Sequence, residues 1–243
     1  MSLDFLLPDW PAPGNVRAFM TTRAGGASLG PYASLNLGDH TGDDAAAVAQ
    51  NRSLLRVFLP DEPCWLKQVH GNAVCRADDP ASARVADAAV ARQARTVCSV
   101  LTADCLPVLL CDGGGGVVAA AHAGWRGLAG GVLEATIKAM NTPPRELLAW
   151  LGAAIGADAF QVGEEVREAF VRDLPACAAA FRADPAPGKW RADIYRLARL
   201  RLARAGVTRV FGGGLCTATD AARFYSYRRD GASGRMAACI WRE

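Results

Sequence analysis

His70, Cys105 and His122 are residue types that could share one metal ion. They sit in the segments Gln68-Val69-His70-Gly71, Thr102-Ala103-Asp104-Cys105 and His122-Ala123-Gly124-Trp125-Arg126-Gly127. One thiolate and two imidazoles suit zinc, and three protein ligands leave a fourth position open for water or substrate. Structural zinc sites close with four ligands, so an open set points to catalysis. Zinc held in this way lowers the pKa of water towards about 7 and can stabilise a departing anion. The same side chains also describe a metal-free chemistry, with Cys105 as the nucleophile of an amidase and His70 or His122 as its base. A structural zinc domain is a third reading, for which Cys216 is the candidate fourth ligand.

Pattern alone makes two of the three ligands neighbours. Residues 106–112 and 117–122 read as apolar strands around the turn Gly113-Gly114-Gly115-Gly116, where glycine permits the positive φ of a tight reversal. If Asp112 opposes Val117, Pro107 opposes His122, and Cys105 lies diagonally across, roughly 7–8 Å away between backbone positions. A slip of one residue would turn one side chain to the other face. His70 has to arrive from elsewhere in the fold.

Other residues near these segments are candidates for binding or proton transfer. Arg23 and Arg126 lie in glycine-rich loops and suit an oxyanion such as phosphate. Asn36 either contacts substrate or bonds its own turn. Asp104 is a general base, an orienter of a ligand imidazole, or a cap on a backbone turn. Gln68 either contacts substrate or pairs with a strand edge. Arg228 or Arg229 lines the pocket, since alternation along a strand sends them to opposite faces. His40, in a polar loop, is assigned a structural role.

The elements that must position these groups are mixed. Strands are expected over 16–22, 64–69, 97–101 and 150–155, and a final β-hairpin over 223–228 and 235–241. Helices are expected over 44–59 with Asp43 as N-cap, from a turn at 125–131 to about 141, over 163–174, and over 193–205. Without a strict βα alternation, the fold class is α+β with mixed sheets. The 243 residues suffice for a substantial core, and one compact domain over 1–243 is expected.

Composition excludes several classes. With 51% hydrophobic and 21% charged residues and a net charge of +3, the chain reads as a globular protein with no nucleic-acid footprint. No apolar run reaches the length of a membrane span, and Asp4, Pro8, Asp9 and Pro11 interrupt any signal-peptide pattern. A cytoplasmic location follows, in which the eight scattered cysteines are mostly small core residues.

The segments Thr21-Thr22-Arg23-Ala24-Gly25-Gly26, Ser34-Leu35-Asn36-Leu37-Gly38 and Gly42-Asp43-Asp44 join the three metal-ligand segments in one ordered set. Cys216-Thr217, Phe224-Tyr225-Ser226-Tyr227-Arg228-Arg229 and Gly234-Arg235-Met236-Ala237 complete it. The set resembles the YfiH family, also called the laccase-domain or multicopper polyphenol oxidase family, over nearly the whole chain. The resemblance implies two mixed β-sheets packed together with helices outside, in four layers. It implies zinc, one ion per chain, on His70, Cys105 and His122. It also implies phosphorolysis of adenosine, inosine and methylthioadenosine and hydrolytic deamination of adenosine. Some bacterial relatives are linked instead to peptidoglycan-precursor editing, by removal of a misincorporated serine from a UDP-muramyl intermediate. The expected partners are a purine nucleoside and phosphate, with the protein a monomer or weak homodimer. Two departures stand out: Ala153 replaces a usual proline, and Gln161 replaces a usual glutamate.

The laccase label conflicts with the histidine count. A multicopper oxidase needs four coppers held mostly by imidazole, and this chain has only His40, His70 and His122. Copper in the Cys/His site would be adventitious.

Overall fold

The computed structural model describes residues 3–243. Its centre is a pair of mixed β-sheets. The first has the spatial order Phe5–Leu6, Val16–Thr21, Met236–Arg242, Val97–Thr102 and Pro63–Cys64. The second runs Arg209–Gly212, Leu147–Leu151, Leu106–Asp112, Val118–Ala123, Ala88–Ala91 and Val74–Arg76. Both are antiparallel inside; the second carries parallel pairings at both edges and the first at its Pro63–Cys64 edge alone.

Alternation along each strand builds three apolar layers. Cys98, Val100, Met236 and Ile240 of the first sheet meet Leu109, Cys111, Val118 and Trp150 of the second. On the far side of the first sheet, Phe19, Leu101, Cys239 and Trp241 pack against Leu55 of helix α1 (Ala45–Arg56) and the following Leu59. On the far side of the second sheet, Leu106, Val108 and Leu110 pack against three helices. These are α3 (Val132–Met140), α4 (Glu164–Val171) and α5 (Ile194–Arg204); the short α2 (Trp125–Ala129) precedes α3. The result is helix, sheet, sheet, helix, the layering that the family resemblance implies. The central strands are buried on both faces, which explains their unbroken apolar sequences.

Local chemistry sets the helix ends. Asp44, rather than Asp43, caps α1 by accepting from Ala46 N at 2.9 Å, while the Asp43 carboxylate takes hydrogen bonds from Asp44 N and the Asn36 amide. Asp193 caps α5 through Arg196 N at 2.9 Å. Left-handed Gly131 (φ +89°) separates α2 from α3.

Three expected strands differ. Of 64–69 only Cys64 is strand, as the end of Pro63–Cys64, the rest running out as the loop to His70. The strand expected at 150–155 is Leu147–Leu151. The final hairpin is absent: Met236–Arg242 inserts between Val16–Thr21 and Val97–Thr102, and residues 227–230 form helix α6 (Tyr227–Asp230). Ser226 caps α6 by accepting from Arg229 N, a local bond that outcompetes the strand reading.

Candidate metal centre

The hairpin register is the expected one, with Pro107 opposite His122. Cys105 stands one residue ahead of its strand, after Asp104, whose φ of +79° turns the chain sharply. His70 also has a left-handed backbone, at φ +59°. The ligand-type atoms of His70, Cys105 and His122 all lie within 4.8 Å of one another. Cys105 Sγ is 3.9 Å from His70 Nε2, and the two imidazoles cross at 75°. Tetrahedral ligand atoms around zinc, at bonds of about 2.0–2.3 Å, stand roughly 3.3–3.8 Å apart. A small contraction would close the set on an ion.

Asp87 organises this cluster and was not singled out by sequence reasoning. Its Oδ1 accepts from His70 N and pairs with His122 Nδ1, both at 2.9 Å. Its Oδ2 accepts from Gly71 N at 2.7 Å and Val69 N at 3.2 Å. One carboxylate therefore holds the His70 loop in its left-handed bend and leaves Nε2 of His122 for a metal. The available signal was a lone acid inside the apolar run Val85-Ala86-Asp87-Ala88-Ala89-Val90.

Burial works to raise the Asp87 carboxyl, but His122 and the backbone donors outweigh it and hold it below its ordinary value. Burial likewise works to raise the Cys105 thiol, yet His122 and then His70 bring it down to about 6. Burial disfavours charge on His122, while Cys105 and Asp87 together raise it to about 9. The cluster thus favours a thiolate beside a protonated imidazole, a pair whose proton a cation would displace.

Two glycines leave room for this arrangement. A Cβ on Gly124 would stand 3.0 Å from both Cys105 Sγ and His70 Cδ2 and 3.6 Å from His122 Cε1, hard against all three candidate ligands. A Cβ on Gly127 would meet Gly71 O at 2.7 Å, so glycine lets α2 lie directly on the His70 loop.

His70 and Cys105 open onto a cavity of about 320 Å³. Its polar wall includes Asp104, Arg126 and Arg228, and its apolar wall includes Trp125, Ile155 and Phe160. The Arg126 guanidinium lies 4.4 Å over the Trp125 ring. Arg228 donates to Gln161 O at 2.8 Å and sits 5.6 Å from the Phe160 centroid.

The other sequence candidates lie elsewhere or are already engaged. Asp104 borders the cavity, but its Oδ1 accepts from Thr217 Oγ1 at 2.6 Å and its Oδ2 from Arg228 N at 2.7 Å. That is the turn-capping role, since it ties the start of α6 to the Cys105 turn. Asn36 is fully buried, its amide bonded to Gly38, Thr41 and Asp43 and its Oδ1 to Gly38 N and Arg235 N. Arg23 donates to the carbonyls of Ala33 and Ala221 and stacks on Tyr225. Gln68 pairs with both backbone groups of Leu101, as a neighbouring strand would. Neither Arg23, Asn36 nor Gln68 lines the cavity beside His70 and Cys105. His40 lies in an exposed loop beside Asp39 and borders a different cavity. Cys216 accepts from Gly156 N at 3.2 Å and stands outside the three-ligand group. Arg229 is bonded to Asp230 and to the carbonyls of Thr217, Ala218 and Phe224.

A mixed α+β sandwich with a His-Cys-His cluster at the mouth of a cavity is a defined structural class. Residues 17–243 match the family model described as multi-copper polyphenol oxidoreductase laccase. A Pseudomonas aeruginosa protein named purine nucleoside phosphorylase is 55% identical over 237 residues, covering 98% of each chain. The Escherichia coli purine nucleoside phosphorylase YfiH is 52% identical over 239 residues, covering 97% of this chain and 98% of the other. The crystal structure of a Neisseria meningitidis protein superposes with a TM-score of 0.94 at 52% identity, covering 98% of this chain and 99% of that one. YlmD from Geobacillus stearothermophilus superposes at 0.90 with 32% identity, covering 98% and 96%. The chain belongs to the laccase-like YfiH family.

Proposed function

We propose that this protein is a zinc-dependent purine nucleoside phosphorylase acting on adenosine, inosine and methylthioadenosine, with adenosine deamination as a second activity. The observation that carries the reading is the His70–Cys105–His122 cluster at a cavity that also presents the guanidinium groups of Arg126 and Arg228. The names of the Pseudomonas and Escherichia relatives support the same reaction class.

The donor set fits zinc: two imidazole nitrogens, a sulfur already poised as thiolate, and a gap kept clear by Gly124. His70, Cys105 and His122 would hold the zinc, which would supply a Lewis acid for a departing purine or for water. Arg126 and Arg228 orient phosphate through charge-assisted hydrogen bonds. Phe160 and Trp125 provide the apolar surface for base and ribose. A phosphate oxygen bonds to C1′ as the bond from C1′ to the purine breaks, and the base leaves with the bonding pair. Asp104, with both oxygens bonded, positions the α6 backbone and Arg228.

The test is one assay on metal-analysed protein, adenosine with and without phosphate, with adenine, hypoxanthine and inosine separated. Phosphate-dependent adenine with one zinc per chain is expected, together with inosine formed without phosphate. No turnover of adenosine, inosine or methylthioadenosine by zinc-loaded protein would overturn the reading.

One observation favours a second reading. Cys105 Sγ lies 3.9 Å from His70 Nε2 and its thiol is brought down to about 6, a pairing that also suits a cysteine nucleophile in a peptidoglycan-precursor amidase. That enzyme would form an acyl adduct on Cys105 from a serine-containing UDP-muramyl substrate with metal removed. A Cys105→Ser protein that retains zinc but loses amidase activity would favour it. Joint loss of zinc and nucleoside turnover would favour the phosphorylase.

A further inference from the structure

Cys64 and Cys75 stand at the two feet of the loop that carries His70. Cys64 belongs to the edge strand of the first sheet and Cys75 to the edge strand Val74–Arg76 of the second. Their sulfurs are 3.9 Å apart. A single cation bridges them: Arg84 Nη1 donates to Cys64 Sγ at 2.6 Å and to Cys75 Sγ at 3.1 Å. Arg84 lines a second cavity, of about 560 Å³, with Trp65, Lys67 and Gln68 in its wall. Solvent therefore reaches the guanidinium side of the pair. Cys64 is the outer sulfur-bearing residue, 8% exposed against 0% for Cys75.

We propose that Cys64 and Cys75 form an oxidisable dithiol whose disulfide ties together the two feet of the His70 loop. The sulfurs are already neighbours at 3.9 Å, and forming the link shortens that separation to the bond length of about 2.05 Å. Arg84 favours the thiolate needed for attack. Burial, joined by the Cys75 sulfur, outweighs that pull and pushes Cys64 up to about 12. Cys64 therefore rests as a thiol, and reaction proceeds through its small thiolate population.

The oxidant is hydrogen peroxide. The Cys64 thiolate attacks one peroxide oxygen, the O–O bond breaks, and a sulfenic acid and one water result. Cys75 then attacks the Cys64 sulfur, the S–O bond breaks, and a second water leaves as the S–S bond forms. Two electrons pass from the thiols to the peroxide, and both thiol protons leave in the waters. The closed ring of chain holds Gln68, whose amide is fixed to Leu101, and His70, whose N–H is fixed to Asp87. The modification thus fastens a segment that supplies one candidate metal ligand.

Metal-loaded full-length protein is treated with graded hydrogen peroxide, alkylated, digested without reductant and mapped by mass spectrometry. A Cys64–Cys75 cross-linked peptide is expected before any change at Cys98, Cys177 or Cys239, reversible by dithiothreitol and absent from Cys64→Ser protein. The oxidised form should also transfer its metal to a chelator several-fold more slowly than the reduced form. Cys64 and Cys75 that both remain open to alkylation while other cysteines oxidise would overturn the proposal. So would stable over-oxidation of Cys64 without a link to Cys75. An unchanged rate of metal transfer would remove the tie to the His70 loop. The mapping reads sulfur chemistry directly, so its result is separate from whether the protein is a phosphorylase.

Discussion

Asp87 Oδ1 pairs with His122 Nδ1 at 2.9 Å and accepts the backbone N–H of His70 at the same distance. Two candidate ligands distant in sequence are thereby oriented by one buried oxygen. An amide oxygen is a weaker partner, and the NH₂ of asparagine cannot accept from Val69 and Gly71. Asp87→Asn should lower zinc affinity by about 10- to 100-fold, the usual effect of removing a ligand-orienting carboxylate. Competition against a chromophoric chelator reads this directly, and wild-type affinity in the variant would refute the orienting role.

Gly124→Ala tests the gap that glycine leaves beside the three candidate ligands. Gly124 has φ −61° and ψ 156°, a conformation open to any residue, so the backbone should tolerate alanine. The added methyl would stand 3.0 Å from Cys105 Sγ and His70 Cδ2. The purified variant should carry far less than one zinc per chain, while its metal-free melting temperature stays near that of metal-free wild type. Full zinc occupancy would show that the ion does not occupy this gap.

Arg126 and Arg228 separate the two proposed reactions. Losing a hydrogen bond to a charged group costs about 1.5–3 kcal/mol. Arg126→Ala or Arg228→Ala should therefore raise the KM for phosphate by roughly 10- to 100-fold. Deamination of adenosine without phosphate should change much less. Equal losses in both reactions would place these arginines in general substrate binding or in folding.

Stability should depend on a buried arginine remote from the site. Arg201, only 3% exposed in its side chain, pairs with Glu134 at 2.7 Å and with Asp173. Arg201→Ala leaves Glu134 and Asp173 with Arg204 as their remaining cation and should destabilise by about 1.5–3 kcal/mol in chemical denaturation, the usual cost of losing hydrogen bonds to a charged group.

The same cluster predicts an acid-side effect. Arg204 first, joined by Arg201, holds the Asp173 carboxyl below its ordinary value against the opposing effect of burial. A depressed folded-state pKa contributes stability above the unfolded value of about 3.9, and that contribution is lost as pH falls through the folded value. Asp173→Asn should therefore show a shallower fall in denaturation midpoint between about pH 5 and pH 2. A slope identical to wild type would remove Asp173 from the acid response.

The sequence exposed the hairpin because its register is local. Two apolar strands around four glycines leave few ways to pair, and Pro107 does oppose His122. Capped, amphipathic α5 was legible for the same reason, with Asp193 at its start and one apolar stripe. The ending of the chain was not. Residues 223–228 carry strand-like aromatics, but Ser226 and Asp104 accept from the backbone N–H groups of Arg229 and Arg228 and so wind 227–230 into α6. One of those acceptors comes from a loop more than a hundred residues away.

By itself, the sequence determined the candidate ligand types from residue identity, the family from its ordered set of motifs, and the α+β class from short-range periodicity. Tertiary structure decided which polar residues face the cavity. Arg23, Asn36 and Gln68 have side chains suited to substrate, yet each is bonded to backbone or loop groups that arrive only on folding. Asp87 is the reverse case, an acid in an apolar run whose role appears only when the His70 loop and the His122 strand converge on it. Hydrogen bonds between segments distant in the chain leave no spacing to read, because their partners are fixed by packing of the layers and not by position along the sequence.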